Sequence, residues 1–127
     1  MAALTDVERI AIALPGAEEG TSYGNRAWKV KGKTFVWERP LRNRDEEELG
    51  DEAPEGVIVG VRVEDETAKE VLCENEGPVV FTVSHFKGYN AVLIALDLVD
   101  PGLLEDLVTD SWRLLAPPRL TKELDGE

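Results

Sequence analysis

The sequence predicts an α+β fold, a two-layer sandwich in which an antiparallel sheet of about five strands carries the N- and C-terminal helices on one face. Three observations support this prediction. The chain has 127 residues, of which 43% are hydrophobic and 31% charged, a composition typical of one folded domain. Short apolar segments with strand character follow one another after brief turns, which favours antiparallel pairing. Segments with helical periodicity stand near both ends of the chain.

Three helices are predicted from apolar periodicity and from residues that can accept free backbone amides. The first spans residues 5–14, where Thr5 and Glu8 have the spacing of a capping box and a Pro-Gly pair ends the pattern. A short helix is expected over residues 64–76, and a final helix is expected to follow Asp100 and to end before paired prolines. The predicted N-terminal caps are therefore Thr5, Asp65 and Asp100.

Five strands are predicted between these helices, over residues 27–30, 34–37, 57–63, 79–83 and 91–96. The first two are separated by Lys31-Gly32-Lys33, which suits a tight hairpin. Residues 20–26 are rich in turn formers. Residues 39–56 have no apolar period and contain two prolines, two glycines and a block of acids, so a solvated loop is predicted there.

The organisation expected from this pattern is a single domain over residues 1–121 followed by a flexible C-terminal tail over residues 122–127. The longest apolar stretch, residues 91–96, is far shorter than the roughly 20 residues that cross a bilayer. Acidic and basic side chains interrupt the first 15 residues, so no secretory signal is visible. A cytoplasmic protein with no membrane partner is expected.

Several short segments, taken in order, resemble the MmcQ/YjbR family of small bacterial proteins. They are Leu14-Pro15-Gly16, Ser22-Tyr23-Gly24, residues 28–33, residues 80–89 and residues 110–117. The resemblance implies a sandwich of the CyaY or frataxin type, which agrees with the order of elements predicted above. It also implies DNA binding, and it implies no assigned reaction.

The charge of the chain is unevenly distributed. A net charge of −12 argues against nucleic-acid binding over the whole surface, because phosphate contacts need clustered Lys and Arg. Residues 26–44, however, hold seven of the fourteen Lys and Arg residues and one of the 26 acids. A lysine-tipped hairpin can follow a phosphate backbone, although lysines also protect strand edges from aggregation. The candidate nucleic-acid-binding residues are Lys29, Lys31, Lys33, Arg42 and Arg44.

A second candidate site lies in the segment between the last two predicted strands. His85 is the one histidine of the chain, so a catalytic triad or a zinc site built on several histidines is not expected. With Lys87 and Tyr89 it forms a candidate ligand pocket, and a purely structural ring is the alternative. The acids of residues 45–52 fit no calcium loop, and no phosphate-binding or dinucleotide motif is present. Neither a metal nor a cofactor is expected.

Three functions are compatible with these patterns. The first is a non-enzymatic domain that binds DNA through the basic hairpin, as the family resemblance implies. The second is a protein-interaction or regulatory module whose acidic surface and basic hairpin recognise a protein partner. The third is a small-molecule or metal binder at the turn formed by residues 85–89. No set of side chains in the sequence supports an enzyme.

Overall fold

The computed structural model describes residues 2–126. Its elements, in chain order, are α1 (Leu4–Ile12), β1 (Ala17–Ser22), β2 (Asn25–Val30), β3 (Lys33–Glu38), α2 (Asn43–Leu49), β4 (Ile58–Arg62), α3 (Glu66–Glu76), β5 (Val80–Phe81), β6 (Ala91–Ala95), α4 (Pro101–Leu115) and α5 (Pro118–Asp125). Short 3₁₀ turns follow α2 at Gly50–Glu52 and β5 at Ser84–Phe86.

The strands form one antiparallel sheet with the order β1-β2-β3-β4-β6-β5. This confirms the predicted α+β sandwich, with six strands in place of about five. The additional strand is β1, which pairs with β2 from Ala17 opposite Val30 to Ser22 opposite Asn25. Its sequence, AEEGTS, has no apolar alternation because β1 is an edge strand held mainly by backbone hydrogen bonds.

The main core lies between the inner face of the sheet and helices α1 and α4, which confirms the predicted placement of the terminal helices. Trp28 of β2 and Trp112 of α4 are fully buried there. The Trp112 indole donates a hydrogen bond to the carbonyl of Pro15 over 3.1 Å, so the polar edge of the ring is satisfied as the ring packs. Leu120 of α5 also joins this core.

The opposite, outer face of the sheet is covered over part of its area by a second apolar cluster. Trp37, Ile58 and Phe86 belong to it, and Leu41 and Leu49 pack against it from α2 and the segment before it. Helix α2 lies where a solvated loop was predicted, so that prediction is wrong. The helix is held by a buried acid and by leucines at its two ends, and neither produces an apolar period in the sequence.

The predicted helix caps have mixed outcomes. Asp65 accepts the Ala68 amide over 2.8 Å, and the Asp100 carboxylate accepts the first free amides of α4, so these two caps are confirmed. The capping box on Thr5 is wrong: α1 begins one residue earlier, and the Asp6 carboxylate accepts the Ala3 amide over 2.8 Å.

The C-terminal residues differ from their prediction as a flexible tail. Residues 122–125 continue helix α5, whose Leu120 is buried and whose Asp125 pairs with Arg113 of α4 over 2.7 Å. The pair holds the pKa of Asp125 below its ordinary value, chiefly through the hydrogen bond from Arg113. Glu127 lies outside the described residues. Within residues 2–126, no helix has both the length and the apolar character of a membrane span.

Candidate functional site

A groove of about 680 Å³ lies on the outer face of the sheet. Three segments enclose it: the turn between β1 and β2, the chain that follows β3, and the turn formed by residues 84–89. We call it the outer-face groove. Its lining combines basic and aromatic side chains, which are Arg39, Arg42, Arg62, Tyr23, Trp37, His85, Phe86 and Tyr89.

Arg39 is the buried arginine of the groove. Its Nη1 lies 3.0 Å from the Asp45 carboxylate and 2.7 Å from the Pro40 carbonyl, and its guanidinium lies 5.4 Å from the centre of the Phe86 ring. Burial alone would raise the pKa of Asp45, but the Arg42 amide and the Arg39 guanidinium together hold it below its ordinary value. The Nη2 of Arg39 is buried and has no hydrogen-bond partner among residues 2–126.

Arg42 and Arg62 differ from Arg39 because neither pairs with a carboxylate in the part of the chain that the structure describes. Arg42 is exposed, and its Nη1 lies 3.5 Å from the Nε2 of His85. Arg62 is half-buried: its Nε donates to the Thr34 carbonyl over 2.9 Å, and its guanidinium lies 5.5 Å from the Tyr89 ring centre. Both guanidiniums therefore keep donors free to bind an anion.

The aromatic walls of the groove are built on a glycine. Trp37 of β3 pairs with Gly60 of β4, and the absence of a side chain at Gly60 lets the indole lie flat against β4. The ring then lies 6.5 Å from Phe86 and 6.4 Å from Tyr89, which pack edge to face at 5.4 Å. These rings leave one apolar wall beside the two unpaired arginines.

The turn that carries His85 and Tyr89 is held from two sides. The buried Lys69 of α3 donates from its Nζ to the carbonyls of Phe86, over 2.7 Å, and Tyr89, over 3.0 Å. From α2, the Glu48 carboxylate accepts the Ser84 amide at 3.0 Å and 3.1 Å. The turn is therefore positioned by charged side chains that do not themselves line the groove.

The structure separates the five predicted nucleic-acid-binding residues into two groups. Lys31 and Lys33 are exposed at the tip of the β2–β3 hairpin, whereas Lys29 is half-buried and lies against Gly20 of β1. Arg42 and Arg44 are exposed but follow the other end of β3, about 20 Å away at the usual rise of a strand. The basic stretch is continuous in sequence and divided in space.

The predicted ligand pocket is also brought together only in part. His85 and Tyr89 line the outer-face groove, whereas Lys87 is exposed and is not part of its lining. Arg62 and Tyr23 also line the groove and were not among the predicted site residues. Arg62 has the outward phase of β4, and Tyr23 stands in the Ser-Tyr-Gly segment of the family resemblance, so both carried a weak signal.

The described residues of the groove do not form a set of metal-coordinating side chains. Across residues 2–126, the structure brings together no group of three or more His, Cys, Asp or Glu side chains able to hold a metal ion. Three arginines and one acid, Glu38, line the groove. This excess of guanidiniums favours an anionic ligand over a cation.

Fold and groove together define a small α+β sandwich domain with a basic, aromatic-walled groove on the outer face of its sheet. The YjbR family model matches residues 12–114, and the chain belongs to the YjbR family. The family resemblance seen in the sequence is confirmed.

Related proteins occur in mycobacteria. Uncharacterised proteins of Mycobacterium tuberculosis and Mycobacterium bovis are each 44% identical to this chain over 125 residues, which is 96% of this chain and 95% of each relative. The crystal structure of Deinococcus radiodurans protein DR2400, which has a DUF419 domain, superposes with a TM-score of 0.70 at 18% identity and covers 98% of this chain and 89% of that one. This likeness supports the fold alone.

Proposed function

We propose that this member of the YjbR family is a non-enzymatic binding domain that holds an anionic ligand in the outer-face groove. One observation carries the proposal: two guanidiniums without a carboxylate partner, those of Arg42 and Arg62, lie beside an aromatic wall. Charge-assisted hydrogen bonds from arginine to a phosphate or carboxylate are among the strongest in proteins, and each contributes roughly 1.5–3 kcal/mol.

Two arginines without an acidic partner line the groove. Arg9, Arg26, Arg39 and Arg113 each have an acidic partner within 4.0 Å, whereas among residues 2–126 four arginines have none, namely Arg42, Arg44, Arg62 and Arg119. Of these four, Arg42 and Arg62 line the groove, where their free donors can meet an external anion.

A small anion fits this site better than a long polyanion. The net charge of −12 repels a polyanion that must lie across much of the surface. At physiological salt the Debye length is about 8 Å, so a ligand confined to the groove senses mainly the charges that line it. The groove volume of about 680 Å³ lies within the usual range for small-molecule sites.

The test is titration with ribose 5-phosphate, a small anion without an aromatic ring, followed by calorimetry or by amide shifts in NMR spectra. Arg42→Gln removes one free guanidinium, and we expect at least about a tenfold loss of affinity, since one charge-assisted bond is lost. Arg44→Gln is the matched control, because Arg44 is an exposed arginine two residues away that does not line the groove. Equal affinities of wild type and Arg42→Gln would contradict the proposal.

DNA binding at the hairpin tip is a second candidate. The specific observation is that Lys31 and Lys33 are exposed, with the turn between them fixed by positive φ angles at Lys31 (51°) and Gly32 (77°). Such a tip can lie along a phosphate backbone. If duplex DNA binds there, the double variant Lys31→Glu, Lys33→Glu abolishes binding and Arg42→Gln has little effect. The reverse pattern assigns any DNA contact to the outer-face groove.

A further inference from the structure

We infer that Tyr23 stacks on a planar ring of the ligand, so that the outer-face groove takes an anion that carries an aromatic ring. This inference rests on the proposed function and names the chemical class of its ligand. Tyr23 lies in the turn between β1 and β2 and lines the groove, with 97% of its surface exposed. It contributes almost nothing to the packing of the fold.

The backbone at Tyr23 supports a functional role. Its φ is +50°, in the left-handed region that disfavours residues with a bulky side chain, and Gly24 follows at +81°. A glycine or asparagine at position 23 would make the same turn with less strain. Lys31 has a similar φ in the β2–β3 turn, so what singles out Tyr23 is a large ring exposed at the mouth of a groove.

The turn holds the backbone of Tyr23 in a fixed place. Ser22 and Asn25 are paired across it in the register of β1 and β2, and the Asn25 side chain lies 3.5 Å from the Tyr23 carbonyl. The turn is therefore short and tied at both ends, while the phenol itself remains free. A rigid aromatic side chain with few rotamers loses little entropy when it binds a planar partner.

The remaining lining completes a site for a ring that bears an anionic group. Arg42 and His85 present polar nitrogens, Arg62 lies against the Tyr89 ring, and Tyr89 keeps 37% of its surface exposed. A ligand ring can stack on Tyr23 while its anionic group meets the guanidiniums. The anionic group can be a phosphate, as in a nucleoside monophosphate, or a carboxylate, as in an aromatic acid.

The experiment compares two pairs of probes that differ by the ring alone. Adenosine monophosphate is compared with ribose 5-phosphate, and indole-3-acetate is compared with acetate, by calorimetry on the full chain. We expect the ring to increase affinity by about fivefold or more in at least one pair, which also identifies the phosphate or carboxylate source. In Tyr23→Ala this gain disappears, whereas affinity for the ringless member stays within about twofold.

Tyr23→Phe is the matched control, because it keeps the ring and loses only the hydroxyl, and it retains the gain. Unchanged thermal unfolding of both variants shows that the fold is intact. If ringed and ringless probes bind equally, or if Tyr23→Ala keeps the gain, the inference is overturned while the proposed function stands. If no probe binds, or if Arg42→Gln binds ribose 5-phosphate as wild type does, the proposed function fails and the inference fails with it.

Discussion

Gly60 is the residue that makes room for Trp37 on the outer face of the sheet. A Cβ at this position would lie 2.6 Å from the Cε2 and Cζ2 atoms of the indole, closer than carbon atoms can approach. The backbone of Gly60 needs no positive φ. Glycine is therefore needed at position 60 for the space it leaves and not for its backbone conformation. The aromatic wall of the groove depends on this one residue of β4.

We expect Gly60→Ala to lower the free energy of unfolding by about 1–3 kcal/mol, because the indole must leave its place over β4. Trp37 then packs less well against Phe86 and Tyr89, and the ligand affinity of the groove falls with it. Urea unfolding followed by tryptophan fluorescence measures the first effect. Gly20→Ala on β1 is the control, since its nearest neighbour, Lys29, would lie 3.6 Å from the new methyl group.

Equal stability of these two glycine variants would show that the Trp37 ring moves aside without cost, and that Gly60 does not shape the groove.

Asp45 gives a pH-dependent prediction. Its pKa is lower in the folded protein than the ordinary carboxyl value near 3.9, so its ionised form stabilises the fold. That contribution is complete above the ordinary value and is lost as the pH falls through the lowered pKa. We expect Asp45→Asn to cost about 1–3 kcal/mol at neutral pH and to cost less near pH 3.

Asp125→Asn is the comparison for Asp45, because Asp125 also has a lowered pKa and an arginine partner but lies on the surface. We expect a smaller change there, since solvent screens exposed pairs. Chemical unfolding of both variants at several pH values measures the difference. A loss at Asp45 that is the same at pH 3 and pH 7 would contradict the assignment of charge to this carboxylate.

Among the elements, helix α4 does more than cover the inner face of the sheet. The hydroxyl of its buried Ser111 donates to the Phe35 carbonyl of β3 over 2.5 Å and accepts the Arg62 amide of β4 over 2.8 Å. Regular pairing of these strands ends at Val36 opposite Val61. The hydroxyl therefore takes the place of the next backbone hydrogen bond, and the end of β4 that carries Arg62 is fixed by a helix on the other face.

Ser111→Ala leaves a buried amide and a buried carbonyl without partners, so we expect it to lower the free energy of unfolding by about 1–3 kcal/mol. The amide that loses its partner is the backbone N–H of Arg62, so the position of the Arg62 side chain changes. We therefore expect the affinity for ribose 5-phosphate to fall as well, although Ser111 does not line the groove. Thr109→Ala, a half-buried hydroxyl on the same helix, is the control. If the variant is as stable as wild type and binds equally well, the Phe35 carbonyl and the Arg62 amide find hydrogen-bond partners without Ser111.

At the scale of the whole molecule, the sequence was sufficient for the fold class because apolar periodicity and acidic caps report the central strands and helices α3 and α4 directly. It failed at β1 and α2 for a physical reason. Strand β1 is a polar edge held by backbone pairing, and α2 is held by a buried Arg39–Asp45 pair and by contacts distant in sequence. Neither produces a local pattern.

The candidate site could be predicted from the sequence only in part, for a related reason. Contiguity in sequence suggested one basic surface over residues 26–44, but β3 carries the chain across the sheet and divides those charges between its two ends. The groove instead gathers Tyr23, Arg42, Arg62 and His85 from segments far apart in the chain. The antiparallel topology of the sheet brings these four residues together, and no spacing of residues in the sequence indicates that they are neighbours.

The acidic side chains of the molecule should repel an anionic ligand over a distance that depends on the salt concentration. Glu38 is the one acid that lines the groove within the described residues, whereas Glu105 and Asp106 are exposed on α4, across the sheet. The Debye length is about 30 Å at 10 mM salt and about 8 Å at 150 mM. Distant acids should therefore repel an anion only at low salt, and Glu38 should repel it at both.

We expect Glu38→Gln to raise the affinity for ribose 5-phosphate by about two- to fivefold at both salt concentrations, as a unit charge several ångströms away in a watery groove predicts. The double variant Glu105→Gln, Asp106→Asn should raise it at about 10 mM salt and leave it unchanged at about 150 mM. Calorimetric titrations of both variants at the two concentrations measure the effect. If the α4 variant gains as much as Glu38→Gln at the higher salt, the anion does not bind in the outer-face groove.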